Sequence, residues 1–292
     1  MIPSLNIVAW SHHAPWAEPR QVEQDLIISR AIVEIFSDSF LKSELRFRGG
    51  TALNKLHFPL PVRYSEDIDL VRTSAGPIGP ILDQLRVVLE PWLGAGQFEQ
   101  SPVAPKLRFR VPAEDQPDIP IRLKVEINTT EIKAYDAPVA IALDINNPWF
   151  SGAIDVPTFS PEEMMATKLR ALLQRDKGRD LYDLAHAIDV FDALDSDRVI
   201  RCLKQYMEQS GQTISRAEAD ERMFAKLNRA TFLKDITPLL PADQAAIVDT
   251  RSTQRAFEKV FQHLISHMEG MPWARSAEMA ERFGISIELY LQ

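Results

Sequence analysis

One cysteine, Cys202, stands in a chain of 292 residues. A lone thiol makes neither an internal disulfide nor a cysteine-rich zinc site, and a reducing cytoplasm is the expected location. Set among Val199, Ile200, Leu203 and Tyr206, it reads as an inert core thiol. No apolar run approaches the ~20 residues that span a bilayer, so no membrane partner is expected. The opening MIPSLNIVAWSHHAPW has no basic segment followed by a long apolar one, which argues against a secretory signal. Glycine is scarce, with 11 residues, and none falls into a phosphate loop with its lysine or a Gly-x-Ser-x-Gly elbow. Leu93-Gly94-Ala95-Gly96 lacks the third glycine and the preceding strand of a dinucleotide site. Positive charge is also short: 33 Lys and Arg against 41 Asp and Glu leave a net charge of −8. That excludes a protein whose whole surface coats nucleic acid, and leaves room for a local basic groove.

Apolar residues are plentiful, at 45%, so the bulk of the chain is folded. Helical spacing of Val22, Leu26, Ile27, Ala31, Val33 and Ile35 predicts a helix from about Glu18 to Phe40, with Pro19 in its first turn. A short strand, Glu44 to Arg48, runs into Gly49-Gly50, and a short helix is expected from Thr51 to Leu56. The next strand is Asp67 to Arg72, and Ile81 to Trp92 forms a further helix. Strict alternation marks strands at Lys106–Val111 and Ile121–Asn128, each with one buried face. Another strand is expected near Val139–Leu143. Composition changes near Ser160, where Ser160-Pro161-Glu162-Glu163 has the layout of a capping box. The fold class expected is α/β: a small mixed sheet with flanking helices over 1–158, then an all-helical half over 159–292.

Three features of the first half carry chemistry. In Arg48-Gly49-Gly50-Thr51, between strand and helix, glycines let backbone N–H groups approach an anion, and the Thr51 hydroxyl adds a donor. In Ser65-Glu66-Asp67-Ile68-Asp69-Leu70, residues two apart share a face, so Asp67 and Asp69 lie together while Ile68 and Leu70 meet the core. Adjacent carboxylates repel unless a cation lies between them, and Mg²⁺ (or Mn²⁺) is the hard ion that suits two oxygens. Glu126, on the polar face of its strand with Lys124 and Arg122, joins them if the two strands are neighbours. Three acids beside such a turn suit two-metal phosphoryl or nucleotidyl transfer from an NTP, with Asp67, Asp69 and Glu126 as metal ligands. Each motif alone also describes a bland turn or a solvated edge strand.

The helical half supplies cations. Lys168, Arg170, Arg175, Lys177 and Arg179 face a single acid, Asp176, in the stretch from Met164 to Arg179. Lys168 and Arg175 fall on one edge of a helix that buries Met165, Leu169, Leu172 and Leu173. Asp180 and Asp183 share a face of the following helix, Asp180 to Phe191. His263 and His267, four apart, lack the glutamate of a zinc-protease helix, and His12-His13 has no visible partner ligand, so neither is taken as a metal site.

Taken in order, FRGGTALNKL, RYSEDIDL, KVEIN and EEMMATKLRALLQRDKGRDLYDL resemble the AbiEii/AbiGii-type toxins, from about Val22 to Val190. These are nucleotidyltransferases of the polymerase-β-like superfamily, found in two-gene toxin–antitoxin and abortive-infection systems. The resemblance implies an NTP substrate, tRNA 3′ ends as acceptor and a cognate antitoxin encoded nearby. It also implies that Gly50 and Thr51 hold the triphosphate and Asp67 and Asp69 the metal. Lys168 would contact nucleotide phosphates, and Asp180 would be an essential acid. Gly49, Arg175 and Arg179 complete the expected nucleotide-binding set. Thr51 replaces the usual serine, and its spacing to Asp67 is longer than in the strictest pattern. Asp180, Asp183 and Glu126 remain alternatives for the base. Transfer to a small molecule or protein side chain, or a non-catalytic binding module on the same fold, are the competing functions.

Overall fold

The structure is a computed structural model that describes residues 2–229, 232 and 234–287. The chain divides into two compact units, Met1–Ser160 and Pro161–Gln292.

The first unit opens with helix α1 (Ser4–Trp10) and α2 (Pro19–Ser37). A reciprocal Glu18–Gln21 box caps α2, and Pro19 occupies its first turn, where no N–H is needed. The helix stops at Ser37 rather than Phe40. Asp38 turns extended there, and its carboxylate accepts the Leu41 N–H at 2.9 Å, which starts α3 (Ser39–Glu44). Strand β1 (Leu45–Arg48) leads into α4 (Gly49–Ala52) and a single π-helical turn, Leu53–His57. Then follow β2 (Asp67–Arg72), α5 (Gly79–Leu93), β3 (Gln97–Glu99), β4 (Lys106–Val111), β5 (Ile121–Asn128), β6 (Val139–Asn147) and β7 (Phe150–Thr158).

These strands form one mixed sheet in the order β3-β4-β5-β2-β1-β7-β6. β2 lies between antiparallel β1 and parallel β5, with Asp69 the Cα partner of both Arg48 and Glu126. Alternation fixes the faces. Ile68, Leu70, Leu107, Phe109, Leu123, Val125 and Ile127 are buried, and α2 packs across the strands. The opposite face carries the polar side chains. Asn147 Oδ1 accepts the Trp149 N–H at 2.9 Å and closes the β6–β7 hairpin.

The second unit is helical among its described residues: α6 (Pro161–Gln174), α7 (Gly178–Val190), α8 (Ser196–Gln209), α9 (Arg216–Leu227), α10 (Ala242–Ala245), α11 (Thr250–His263) and α12 (Ser276–Phe283), with two 3-10 turns. Its core is built on Phe224, Phe257 and Phe261, whose ring centroids lie 5.1–6.0 Å apart. Cys202 is fully buried on α8, outside any disulfide. Tyr206 donates its hydroxyl to the buried Glu163 carboxylate at 2.7 Å, so that charge is met inside the core. No helix among the described residues is long and apolar enough to cross a membrane.

Candidate active site

Gly49 is the hinge of the first-unit site. Its φ of +84° is a conformation that side chains disfavour, and a Cβ placed on it would lie 2.2 Å from Asp69 Oδ2. The turn is bare so that the Asp69 carboxylate can pack against it. Gly50 is hemmed in as well: a Cβ there would meet the Arg63 guanidinium at 2.3 Å. Arg63 is 2% exposed and donates to the Tyr64 carbonyl at 3.0 Å. Asn54 clasps the long loop that follows. Its amide N–H donates to the Gly50 carbonyl at 2.9 Å, and its Oδ1 accepts the Val62 N–H at 2.9 Å. The extended Thr51–Asp67 spacing is thus an ordered loop tied back to the turn.

Thr51 has a different task from the open donor expected of it. It is 1% exposed, its hydroxyl donates to the Asp67 carbonyl, and its Oγ1 lies 2.7 Å from Ser65 Oγ. It therefore positions the start of β2. Ser65, half-buried, carries the second hydroxyl at this spot, and its place beside the motif was the only sequence signal for it.

Asp67 and Asp69 share the polar face of β2. Burial pushes the Asp69 carboxyl above its usual range, the Asp67 charge adds to that, and Lys124 partly offsets it. An acid pair sharing one strand face, presenting only hard oxygens and met on one side by Lys124, suits Mg²⁺. Two carboxylates match the way Mg²⁺ arrives with a nucleotide, since phosphates and water fill the remaining positions. Glu126 stands on the neighbouring strand as expected, its Cα the partner of Asp69 and its side chain on the same face. Its carboxylate meets Lys124 Nζ at 3.1 Å and Lys106 Nζ at 3.8 Å. Among the described residues no group of three or more His, Cys, Asp or Glu forms a metal-sized cluster.

Lys124 is the residue that sequence reasoning passed over. Its Nζ lies 3.0 Å from Asp67 Oδ2 as well as 3.1 Å from Glu126 Oε2, and so bridges the two acids. Burial pulls its ammonium down, but Asp67 and Glu126 outweigh that and hold it above the usual lysine range. The network continues outward, with Lys106 3.4 Å and Arg108 2.6 Å from Glu99. On the other side Arg48 pairs with Glu131 at 2.6 Å. Only the pairing of β5 with β2 makes Lys124 a neighbour of Asp67, and that is a long-range fact.

Lys168, Arg175, Arg179 and Asp180 belong to the second unit. Lys168, 9% exposed, places Nζ 2.9 Å from Asp183 Oδ2 and 3.4 Å from Asp180 Oδ1. Arg175 grips Asp180 with two hydrogen bonds, 2.7 and 2.9 Å. Both aspartates are wholly buried, so the four residues form a closed charge network joining α6 to α7. Arg179 is half-buried in the first turn of α7. Its charge opposes the burial that raises the Asp235 carboxyl. Arg175 also lines a cavity of about 770 Å³ with Arg222, Lys226 and Arg229. Burial pulls the Lys226 ammonium down to about 8.

An acid pair on the strand after a Gly-Gly turn, at the centre of a mixed sheet with a helical second unit, defines the nucleotidyltransferase class. The chain belongs to the AbiEii family of nucleotidyl transferase toxins of type IV toxin–antitoxin systems, whose model matches residues 30–263. It is thus a nucleotidyltransferase toxin, and the family implies an NTP substrate and an antitoxin partner. Its fold is similar to that of MenT4, a nucleotidyltransferase toxin of Mycobacterium tuberculosis. The two share 20% identity, with 98% of this chain and 97% of that chain covered and a TM-score of 0.62. It is also similar to JHP933 of Helicobacter pylori, at 16% identity, 92% and 95% coverage and a TM-score of 0.50. No curated protein matches the sequence significantly.

Proposed function

We propose that this toxin transfers a nucleoside monophosphate from an NTP to the 3′ hydroxyl of an RNA, with tRNA as the acceptor. The observation that carries the chemistry is the Asp67–Asp69 pair packed on the bare Gly49 turn. Asp67 and Asp69 would hold Mg²⁺ or Mn²⁺, which supplies charge stabilisation at the transferring phosphoryl group. The Gly49-Gly50 turn holds the triphosphate through backbone N–H groups, and Thr51 keeps Asp67 in place by its hydrogen bond to the Asp67 backbone.

Glu126 is assigned as the group that takes the proton of the attacking hydroxyl. It is partly exposed on the same face, whereas Asp180 and Asp183 are buried under Lys168 and Arg175. Arg175, with its side chain half exposed, and Arg179 are assigned to phosphate. Lys168 acts through Asp180 and Asp183, holding α6 and α7, rather than by touching the nucleotide. The basic side chains around the acids, Lys106, Arg108 and Lys124, favour a polyanionic acceptor.

The test is Asp69→Asn, assayed with α-labelled NTPs on separate pools of RNA, protein and small molecules. Transfer to RNA should fall about a thousandfold, because the charge stabilisation lost is worth several kcal/mol of barrier. Growth arrest on expression should be relieved, and folding should hold, because the change removes like-charge repulsion. Undiminished labelling by the variant would remove Asp69 from the chemistry. Label in the protein or small-molecule pool would replace the RNA acceptor.

A further inference from the structure

Two arginines on the active face are left out of its charge network. Arg110 on β4 and Arg122 on β5 are Cα partners and exposed. They belong to the same alternation as Lys106, Arg108, Lys124 and Glu126, so they share the face of Asp67 and Asp69. The neighbouring cations on these strands are matched by acids: Lys106 and Arg108 by Glu99, Lys124 by Asp67 and Glu126. Arg110 and Arg122 have no carboxylate partner among the described residues. Like charges directly opposite on a sheet destabilise it, so the pair works against the fold. Cross-strand partners sit about 5 Å apart at Cα. Arg122 lies two residues from Lys124 and four from Glu126, or about 7 and 13 Å along the strand. The pair therefore extends the acidic site outward along β5 as a cationic end.

We propose that Arg110 and Arg122 bind the phosphodiester backbone of the acceptor RNA strand. This rests on the RNA-acceptor reading above and gives it a docking surface. The direction of the chemistry selects the strand over the nucleotide. In the transfer, the acceptor oxygen bonds to the α-phosphorus as the bond to the leaving diphosphate breaks, the two in line on opposite sides. The turn assigned to the triphosphate follows β1, on one side of β2. β5 and β4 lie on the other side. With the leaving group held at the β1 side, the acceptor strand approaches over β5 and β4, where the unmatched arginines stand. Contacts to phosphate carry no base information, so the pair adds affinity without sequence preference.

The test uses a 5′-fluorescein single-stranded RNA with a free 3′ hydroxyl, without NTP, titrated between 50 and 200 mM salt. The parent is compared with Arg110→Gln/Arg122→Gln, and binding of Mg²⁺–NTP to both proteins is measured separately. Losing two phosphate contacts should flatten the slope of log K against log salt by about 1.4. Binding of Mg²⁺–NTP should stay at the parent level, and the melting temperature should hold or rise. Arg110→Lys/Arg122→Lys should retain the parent slope. If the double glutamine variant does not fold, Arg122→Gln alone carries the test with a change of about 0.7. An unchanged slope in a protein that still binds RNA overturns the assignment and leaves the RNA acceptor standing. Loss of Mg²⁺–NTP binding instead gives the arginines to the nucleotide and overturns the proposal. A parent that binds no RNA overturns the proposal and the RNA acceptor together.

Discussion

Replacing Lys168 by methionine deletes the ammonium from the second unit's charge network and keeps the stem. The ammonium lies 2.9 Å from Asp183 and 3.4 Å from Asp180, and both aspartates are fully buried. Removing one partner of a buried ion pair costs ~3–5 kcal/mol, because the remaining charge is left uncompensated. Asp180 keeps its two bonds from Arg175, so the low end, about 3 kcal/mol, is expected. For a unit of this size that lowers the melting temperature by about 10 °C. Circular-dichroism melts of the parent, Lys168→Met, Asp183→Asn and the double variant form the assay. The double variant should recover most of the loss, with a coupling of about 2 kcal/mol. A Lys168→Met protein that melts within ~2 °C of the parent yet no longer binds NTP would refute the reasoning, and Lys168 would then be a direct phosphate ligand.

Gly49→Ala should abolish transfer and cost about 1–3 kcal/mol, because its Cβ would collide with the Asp69 carboxylate at a positive φ. Parent-like activity in that variant would show that the turn and Asp69 do not need close contact. Thr51→Val should destabilise the first unit by about 1–2 kcal/mol in urea melts, while Thr51→Ser should not, since only the hydroxyl is used. Burial lowers the His57 imidazole to about 4 from its ordinary 6.5, so the folded unit keeps it neutral. The unfolded chain takes up a proton first, so His57 costs the fold stability as pH falls from 6.5 towards 4. His57→Gln should make the urea midpoint less sensitive to pH over that window. Equal slopes for parent and variant would remove His57 from the acid response.

Strands whose burial alternates strictly were legible residue by residue. Lys106–Val111 and Ile121–Asn128 have the ends that their patterns predict, and Asp67–Arg72 does too although Leu70, Val71 and Arg72 are buried in succession. β3 was not legible, because Gln97, Phe98 and Glu99 are all exposed and leave no periodic trace. β7 was not expected, because it carries Gly152 and Pro157, residue types that strand interiors disfavour. Its only pairing with β1 is Phe47 with Thr158, so most of one edge is open and tolerates such residues. The acid pair and the turn were visible because their spacing is local. Lys124 as bridge, Arg63 beside Gly50 and the closed Lys168–Asp180–Asp183–Arg175 network depend on contacts distant in sequence or on burial, which spacing does not encode.

The placement of β5 beside β2 has a consequence for the timing of synthesis. The turn and the two aspartates leave the ribosome well before Glu126 and Lys124, with α5, β3 and β4 made in between. At 5–20 residues per second, the interval from Arg48 to Glu126 lasts about 4–16 s. During that time β2 has β1 on one side and nothing on the other, and Asp67 has no Lys124. Parallel pairing at this range closes a large loop, which makes it a slow step in folding. Until the fifth strand docks, the aspartates stand on an incomplete sheet, and a stop codon anywhere upstream of β5 leaves them so.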